Sequence, residues 1–135
     1  MNTLYTKMIE YYSGDPKRIQ HFTKVHSYAR LIGQLEHLSD DTQNILEIAA
    51  LVHDIGIKIS ELKYGNCNGK NQEKEGKAEA EKLLTELGYP QEVIERVSYL
   101  VGHHHSYDQI EGMDYQILVE ADFIVNMYED AESEE

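Results

Sequence analysis

Cysteine is nearly absent: Cys67 is the single one in 135 residues. One cysteine excludes an internal disulfide framework and fits a reducing compartment. Positive charge is also scarce, with 12 Lys and Arg against 25 Asp and Glu, a net charge of −13. Duplex nucleic acid binds through a basic face, so this balance argues against it as the main partner. A small phosphorylated ligand stays compatible, because a bound metal supplies positive charge locally. No stretch reaches the ~18 consecutive apolar residues that a membrane helix needs. Residues 1–10 lack the shape of a signal peptide, so a cytoplasmic location is the expectation. Strand-like alternation and internal repeats are missing too.

What is there is helical. The expectation is one all-α domain over residues 1–128, a compact irregular bundle of five to six helices, followed by an acidic tail over 129–135. At this length roughly two-thirds of the unfolded surface is buried on folding. Leu4, Met8, Ile9 and Tyr12 share helical spacing and give a first helix that ends near Gly14. Asp15 followed by Pro16 signals the start of a second, which runs to about Leu38. A third spans 42–55, and residues 60–70 read as a loop rich in Gly and Asn. The remaining helices fall at about 71–87, from Pro90 to the histidines at 103–105, and at 115–128.

The most informative stretch is 48–58, Ile-Ala-Ala-Leu-Val-His-Asp-Ile-Gly-Ile-Lys. A window apolar on every side belongs in the middle of a fold, which places His53 and Asp54 near the core. A buried carboxylate needs a cation, a strong set of hydrogen bonds or a metal. A satisfied His–Asp pair and a metal site both answer that need. Gly56 reads as the cap that stops the helix.

Seven histidines are many for this length, and helical phase sorts them. His21 lies about 40° from Val25 and 20° from Ile32, on the apolar face, whereas His26 lies about 100° from Val25, towards solvent or the rim. His37, near the helix end, reads as surface. On the fifth helix His104 falls within about 10° of the direction set by Val93, Val97, Leu100 and Val101, with His103 and His105 roughly 100° to either side. His104 is thus the inward residue and His103 its candidate neighbour. A polar helix end that complements the dipole is the alternative for this triplet. Asp122 interrupts the apolar run 117–125 and is either an inward ligand or a cap partner. Mixed His and carboxylate ligands suit Mn, Fe, Co, Ni or Zn better than calcium.

An early His, an adjacent His-Asp pair and a late Asp, in that order, resemble the HD-domain superfamily of metal-dependent phosphohydrolases. The matching residues are His21 in His21-Phe-Thr-Lys-Val25, the pair in Leu51-Val-His-Asp-Ile-Gly56, and Asp122 in Glu120-Ala-Asp-Phe-Ile124. The resemblance implies a helical bundle in which His21, His53, Asp54 and Asp122 hold one divalent ion (Mg joins the metals above). It also implies hydrolysis of a phosphate ester or anhydride, nucleotide-like, by a metal-activated water. Asp54, Lys58 and His104 would serve the chemistry, Lys58 as the cation that neutralises phosphate. Dinuclear relatives add a fourth-helix His, for which this chain has Gln72, Glu73 and Glu75. His103, His104 and Glu73 are the candidates for a second ion. A non-catalytic metal- and nucleotide-binding module, a di-iron oxygenase-type enzyme and a purely structural bundle are the competing readings.

Overall fold

The computed structural model describes residues 1–65, 68–108 and 110–133, with side chains as far as residue 130. Cys67 lies outside these residues. Seven α-helices follow one another: α1 (Asn2–Tyr11), α2 (Pro16–Leu35), α3 (Asp40–Val52), α4 (Gly56–Tyr64), α5 (Gly69–Glu86), α6 (Gln91–Val101) and α7 (Met113–Ser133). The all-α class is as expected, and no strand occurs among the described residues.

Local chemistry sets the helix starts. The Asp15 carboxylate accepts the Arg18 amide at 3.3 Å, Ser39 Oγ accepts that of Thr42 at 3.2 Å, and Asn68 Oδ1 accepts that of Asn71 at 3.0 Å. Each bond satisfies an amide that the first helical turn leaves without a partner.

The apolar α3 is the axle of the bundle. Leu46 and every residue from Ile48 to Val52 are buried, and α1, α2, α6 and α7 all pack on α3. The α4–α5 pair completes the bundle through α6, on which α5 packs.

Four boundaries differ from those the sequence predicts. The α2 helix stops at Leu35, and His37 adopts φ +56° as the chain reverses. The α3 helix stops at Val52, which leaves His53, Asp54 and Ile55 as a tight turn. Gly56 does not cap α3 but opens α4, a helix where the sequence predicts loop from residue 60 onward. Its role is close approach: a Cβ there would lie 2.3 Å from the Gln72 carbonyl oxygen and 2.5 Å from the Gly76 nitrogen, both backbone atoms of α5. Finally, α7 continues through the acidic segment to Ser133, so residues 129–133 are helical. No helix among the described residues is long and apolar enough to cross a membrane.

Candidate metal centre

The His53-Asp54 turn is held from both ends. Ile55 N donates to Val52 O at 3.0 Å and Ile57 N to Asp54 O at 3.1 Å. At the C-terminal end of α1, the Tyr11 hydroxyl donates to Ile55 O at 3.1 Å and that of the capping residue Tyr12 to Asp54 O at 2.6 Å. The first helix thus fixes the backbone that carries the motif.

Four side chains converge above this turn. His21 comes from α2, His53 and Asp54 from the turn, and Asp122 from α7, and all four are buried. One ligand atom from each lies within 4.8 Å of the others. His21 Nε2 is 3.1 Å from both Asp54 Oδ2 and Asp122 Oδ1. His53 Nε2 is 3.2 Å from the former oxygen and 3.3 Å from the latter. The two Nε2 atoms are themselves 3.3 Å apart.

Outer contacts explain why both imidazoles present Nε2. His53 Nδ1 donates to Ala50 O at 2.7 Å, and His21 Nδ1 donates to Glu129 Oε1 at 2.7 Å. With Nδ1 committed, a neutral ring turns a lone pair inward. Two such lone pairs and two carboxylate oxygens cannot share this space without positive charge between them. Protons supply it in one state, and a divalent ion fits the same donor set in another.

The ionisation behaviour follows. Burial pushes the His21 pKa down, but hydrogen bonds to Asp122 and Asp54 outweigh it and raise the value to about 9. His53 is likewise opposed by burial and raised well above its ordinary range by the Asp54 and Asp122 charges. Burial would raise both carboxyls, yet the imidazoles around them hold Asp54 well below the usual range and keep Asp122 low too.

A raised histidine pKa stabilises the metal-free fold fully below the ordinary value of 6.5, and that contribution is lost as pH rises through about 9. Metal needs the deprotonated Nε2, so binding releases at least one proton at neutral pH. Between pH 6.5 and 9 the thermal midpoint of the metal-free protein falls, while metal affinity tightens by about tenfold per pH unit for each proton displaced. Calorimetry in buffers of different ionisation enthalpy reads the proton count, and no buffer dependence would contradict this arrangement.

A second group adjoins the first. Asp54, His104 and His105 can also bring ligand atoms together within 4.8 Å. His104 is buried, its Nδ1 donates to Val101 O at 2.7 Å, and its Nε2 faces Asp54 Oδ1 at 3.6 Å without a hydrogen-bond partner. Asp54 therefore turns one oxygen to each group. His105 lies tilted against His104, with ring centroids 3.9 Å apart, and its Nε2 meets Gln72 Oε1. Burial and the His104 charge lower its pKa to about 4.

The inward position of His104 agrees with the helical phase, but its neighbour in the site does not. His103 donates from Nδ1 to Tyr99 O at 2.8 Å and stacks on the Tyr99 ring, away from the cluster. The reason is that α6 ends at Val101, and the following residues form turns that abandon the 100° step. The Tyr115 hydroxyl donates to the His103 carbonyl, with Ser106 O at 2.5 Å, and so pins this turn to α7. Glu73 also stays outside: its Oε2 faces the His105 amide and Ser106 Oγ, each at 3.4 Å. Gln72 is the α5 residue that reaches the site. Glu75 instead ties α5 to α4, accepting from the Tyr64 hydroxyl at 2.8 Å and pairing with Lys63.

A cleft of about 150 Å³ opens over the cluster, lined by His21, Asp54 and Asp122 together with Arg18, Ile57, Gln72, His105 and Asn126. Lys58 does not line it. That ammonium lies 3.4 Å from Tyr11 O and 5.2 Å from the centre of the Tyr11 ring. Arg18 is the cation at the cleft. His26, expected towards solvent or the rim, is largely covered, packing edge-on against Tyr5 with Nε2 3.2 Å from Glu47. His37 is exposed, as expected.

Three contributors that the sequence reading missed carried a periodic signal. Arg18 precedes His21 by three residues, and Asn126 and Glu129 follow Asp122 by four and seven, spacings that share a helix face. For Glu129 the expected result is specific. Outer-sphere partners of ligating histidines are worth ~10–100-fold in metal affinity. Glu129→Ala should weaken metal binding by that range, whereas Glu129→Gln keeps an acceptor for Nδ1 and should recover much of it; a metal titration of both variants checks this.

An all-α bundle with a buried His/carboxylate group able to hold a metal defines the class. The family model of the HD domain matches residues 18–134, and the chain belongs to that family. Among solved structures, the chain is similar to a predicted HD superfamily hydrolase from an uncultured Thermotogales bacterium. The TM-score is 0.73 at 24% identity, over 92% of this chain and 67% of the other. That likeness is one of fold. Comparison with the curated proteins gives no match.

Proposed function

We propose that this HD-domain protein is a metal-dependent phosphohydrolase acting on a phosphate ester or anhydride, with a nucleotide-like substrate preferred. One observation carries the reading: four ligand atoms from α2, α7 and the α3–α4 turn face one another in a buried space, with the outer imidazole nitrogens already committed. A divalent ion held by His21, His53, Asp54 and Asp122 would acidify a water and polarise a phosphoryl oxygen.

The protein's own residues supply the rest. His21 and His53 keep Nε2 inward because Glu129 and Ala50 O fix their rings. Arg18 lines the cleft and would offset the negative charge that grows as water attacks phosphorus and the bond to the leaving oxygen breaks. His104 and His105, beside Asp54, would hold a second ion. The solved relative, described as a predicted HD superfamily hydrolase, supports the same reaction class.

The test is elemental analysis of the purified protein, followed by a nucleotide and phosphoester screen with Mn, Co, Ni, Zn, Fe and Mg. Metal-dependent phosphate release is expected. Tight nucleotide binding with no turnover under any metal would replace the enzyme with a binding module.

A further inference from the structure

The helices that deliver His21 and Asp122 to the metal centre also present an apolar face to solvent. Most of the large apolar side chains exposed among the described residues belong to α2 and α7, which pack side by side. On α2, Tyr28, Leu31 and Leu35 recur at spacings of three and four, on a stripe about 120° from the core stripe of Phe22, Val25 and Ala29. On α7, Phe123, Ile124, Met127 and Tyr128 cluster about 120° from the core stripe of Leu118, Ala121 and Val125. Lys24 joins the two stripes, its ammonium 5.9 Å from the centre of the Tyr128 ring. These seven apolar residues are between 39% and 67% exposed. At ~200 Å² for a large side chain they leave roughly 700 Å² in water. That exceeds the ~300–600 Å² of the largest patch on a typical monomer. It is close to the ~800 Å² that each partner contributes to a standard interface.

Charge on this face is sorted by helix. The α2 helix holds four of the chain's 12 basic residues, Lys17, Arg18, Lys24 and Arg30, and none of its 25 acidic ones. The α7 helix holds six acidic residues and no Lys or Arg. Lys17 and Lys24 share the α2 stripe, and Glu120 and Asp130 flank the one on α7. A net charge of −13 sets copies of this chain against each other elsewhere on the surface. A two-fold axis that lays α2 of one protomer on α7 of its partner brings opposite charges together instead. The same axis repeats the contact in reverse, so the face is complementary to itself.

We infer that two copies of this chain pair through the α2–α7 face. The apolar stripes form the centre, and the lysines of one copy face the acidic residues of the other. This pairing is independent of the reaction proposed for the metal centre.

Sedimentation velocity of the full chain reads the pairing. Interfaces of this size bind at micromolar strength or tighter, so at about 50 μM the wild type should sediment as a dimer, at twice the 15.6 kDa chain mass. Leu31→Glu combined with Phe123→Glu places charge in the apolar centre and should raise the dissociation constant at least about thirtyfold, the scale of a lost hot spot. Both positions are more than half exposed, so wild-type helicity and retained metal verify the fold. Lys24→Glu alone should weaken pairing about tenfold, and Glu120→Lys in the same chain should restore it. Loss of the Lys24–Tyr128 contact by itself would not be repaired in that way. A wild-type chain that stays monomeric at this concentration overturns the pairing, whatever else binds the face. So does an unmoved dissociation constant in the Leu31 and Phe123 double variant, or a Lys24→Glu defect that Glu120→Lys leaves in place.

Discussion

Asp54→Asn should empty the metal site and stop turnover while the bundle stays folded. Asp54 Oδ2 lies 3.1 Å from His21 and 3.2 Å from His53, while Oδ1 faces His104 at 3.6 Å. Among the described residues no other side chain takes part in both candidate ligand groups. Loss of an outer-sphere contact costs ~10–100-fold in metal affinity, so removal of a shared ligand should exceed about a hundredfold. Asparagine keeps the shape and the Tyr12 contact, which goes to the backbone carbonyl. In the metal-free variant the two inward Nε2 atoms face one carboxylate, Asp122, while Glu129 stays on His21 Nδ1, and the raised pKa values of the imidazoles should relax downwards. Elemental analysis and a phosphate-release assay check the result; wild-type metal content in the Asn variant would remove Asp54 from the site.

Gly56→Ala should be the most damaging single methyl in the chain. The added carbon meets the backbone of Gln72 and Gly76 at 2.3–2.8 Å, and backbone cannot rotate away as a side chain can. Separating α4 from α5 also disturbs Gly76, whose own Cβ position is 3.0 Å from Val101 on α6. Overpacking of this kind costs about 3 kcal/mol, a fall of roughly 10 °C in the thermal midpoint for a domain of this size. Gln72 would withdraw from His105, so the His104–His105 group should suffer before the His21–Asp122 group does. Thermal unfolding with and without metal measures both effects. A midpoint within a degree or two of wild type would mean that α4 and α5 do not approach so closely.

The convergence of His21, His53, Asp54 and Asp122 is legible in the sequence for clear physical reasons. His21 and Asp122 sit on apolar faces of long helices, where phase persists over many turns and a wheel projects correctly. His53 and Asp54 follow a segment too apolar to lie anywhere but the centre. Phase carried across the end of α6 placed His104 correctly but chose His103 over His105, because a turn does not advance by 100° per residue. The Gly and Asn residues at 65–69 masked α4, whose nine residues bury only Gly56, Ile57 and Ser60 and thus show little periodicity. Gln72 was hidden for a different reason: a neutral amide carries no charge signal, and its approach to His105 depends on the missing Cβ of Gly56. Glu129 belongs to the acidic run that the sequence predicts as tail, although it lies seven residues beyond Asp122 on the same helical face.

The central claim is that side chains from α2, α7 and the α3–α4 turn share one cation. X-ray absorption at the edge of the bound metal, on wild type and on His21→Ala, tests it most directly. The account predicts a wild-type shell containing two imidazole nitrogens and two carboxylate groups, with one imidazole lost in the variant. A shell of water oxygens alone, or an identical spectrum from the two proteins, would contradict it.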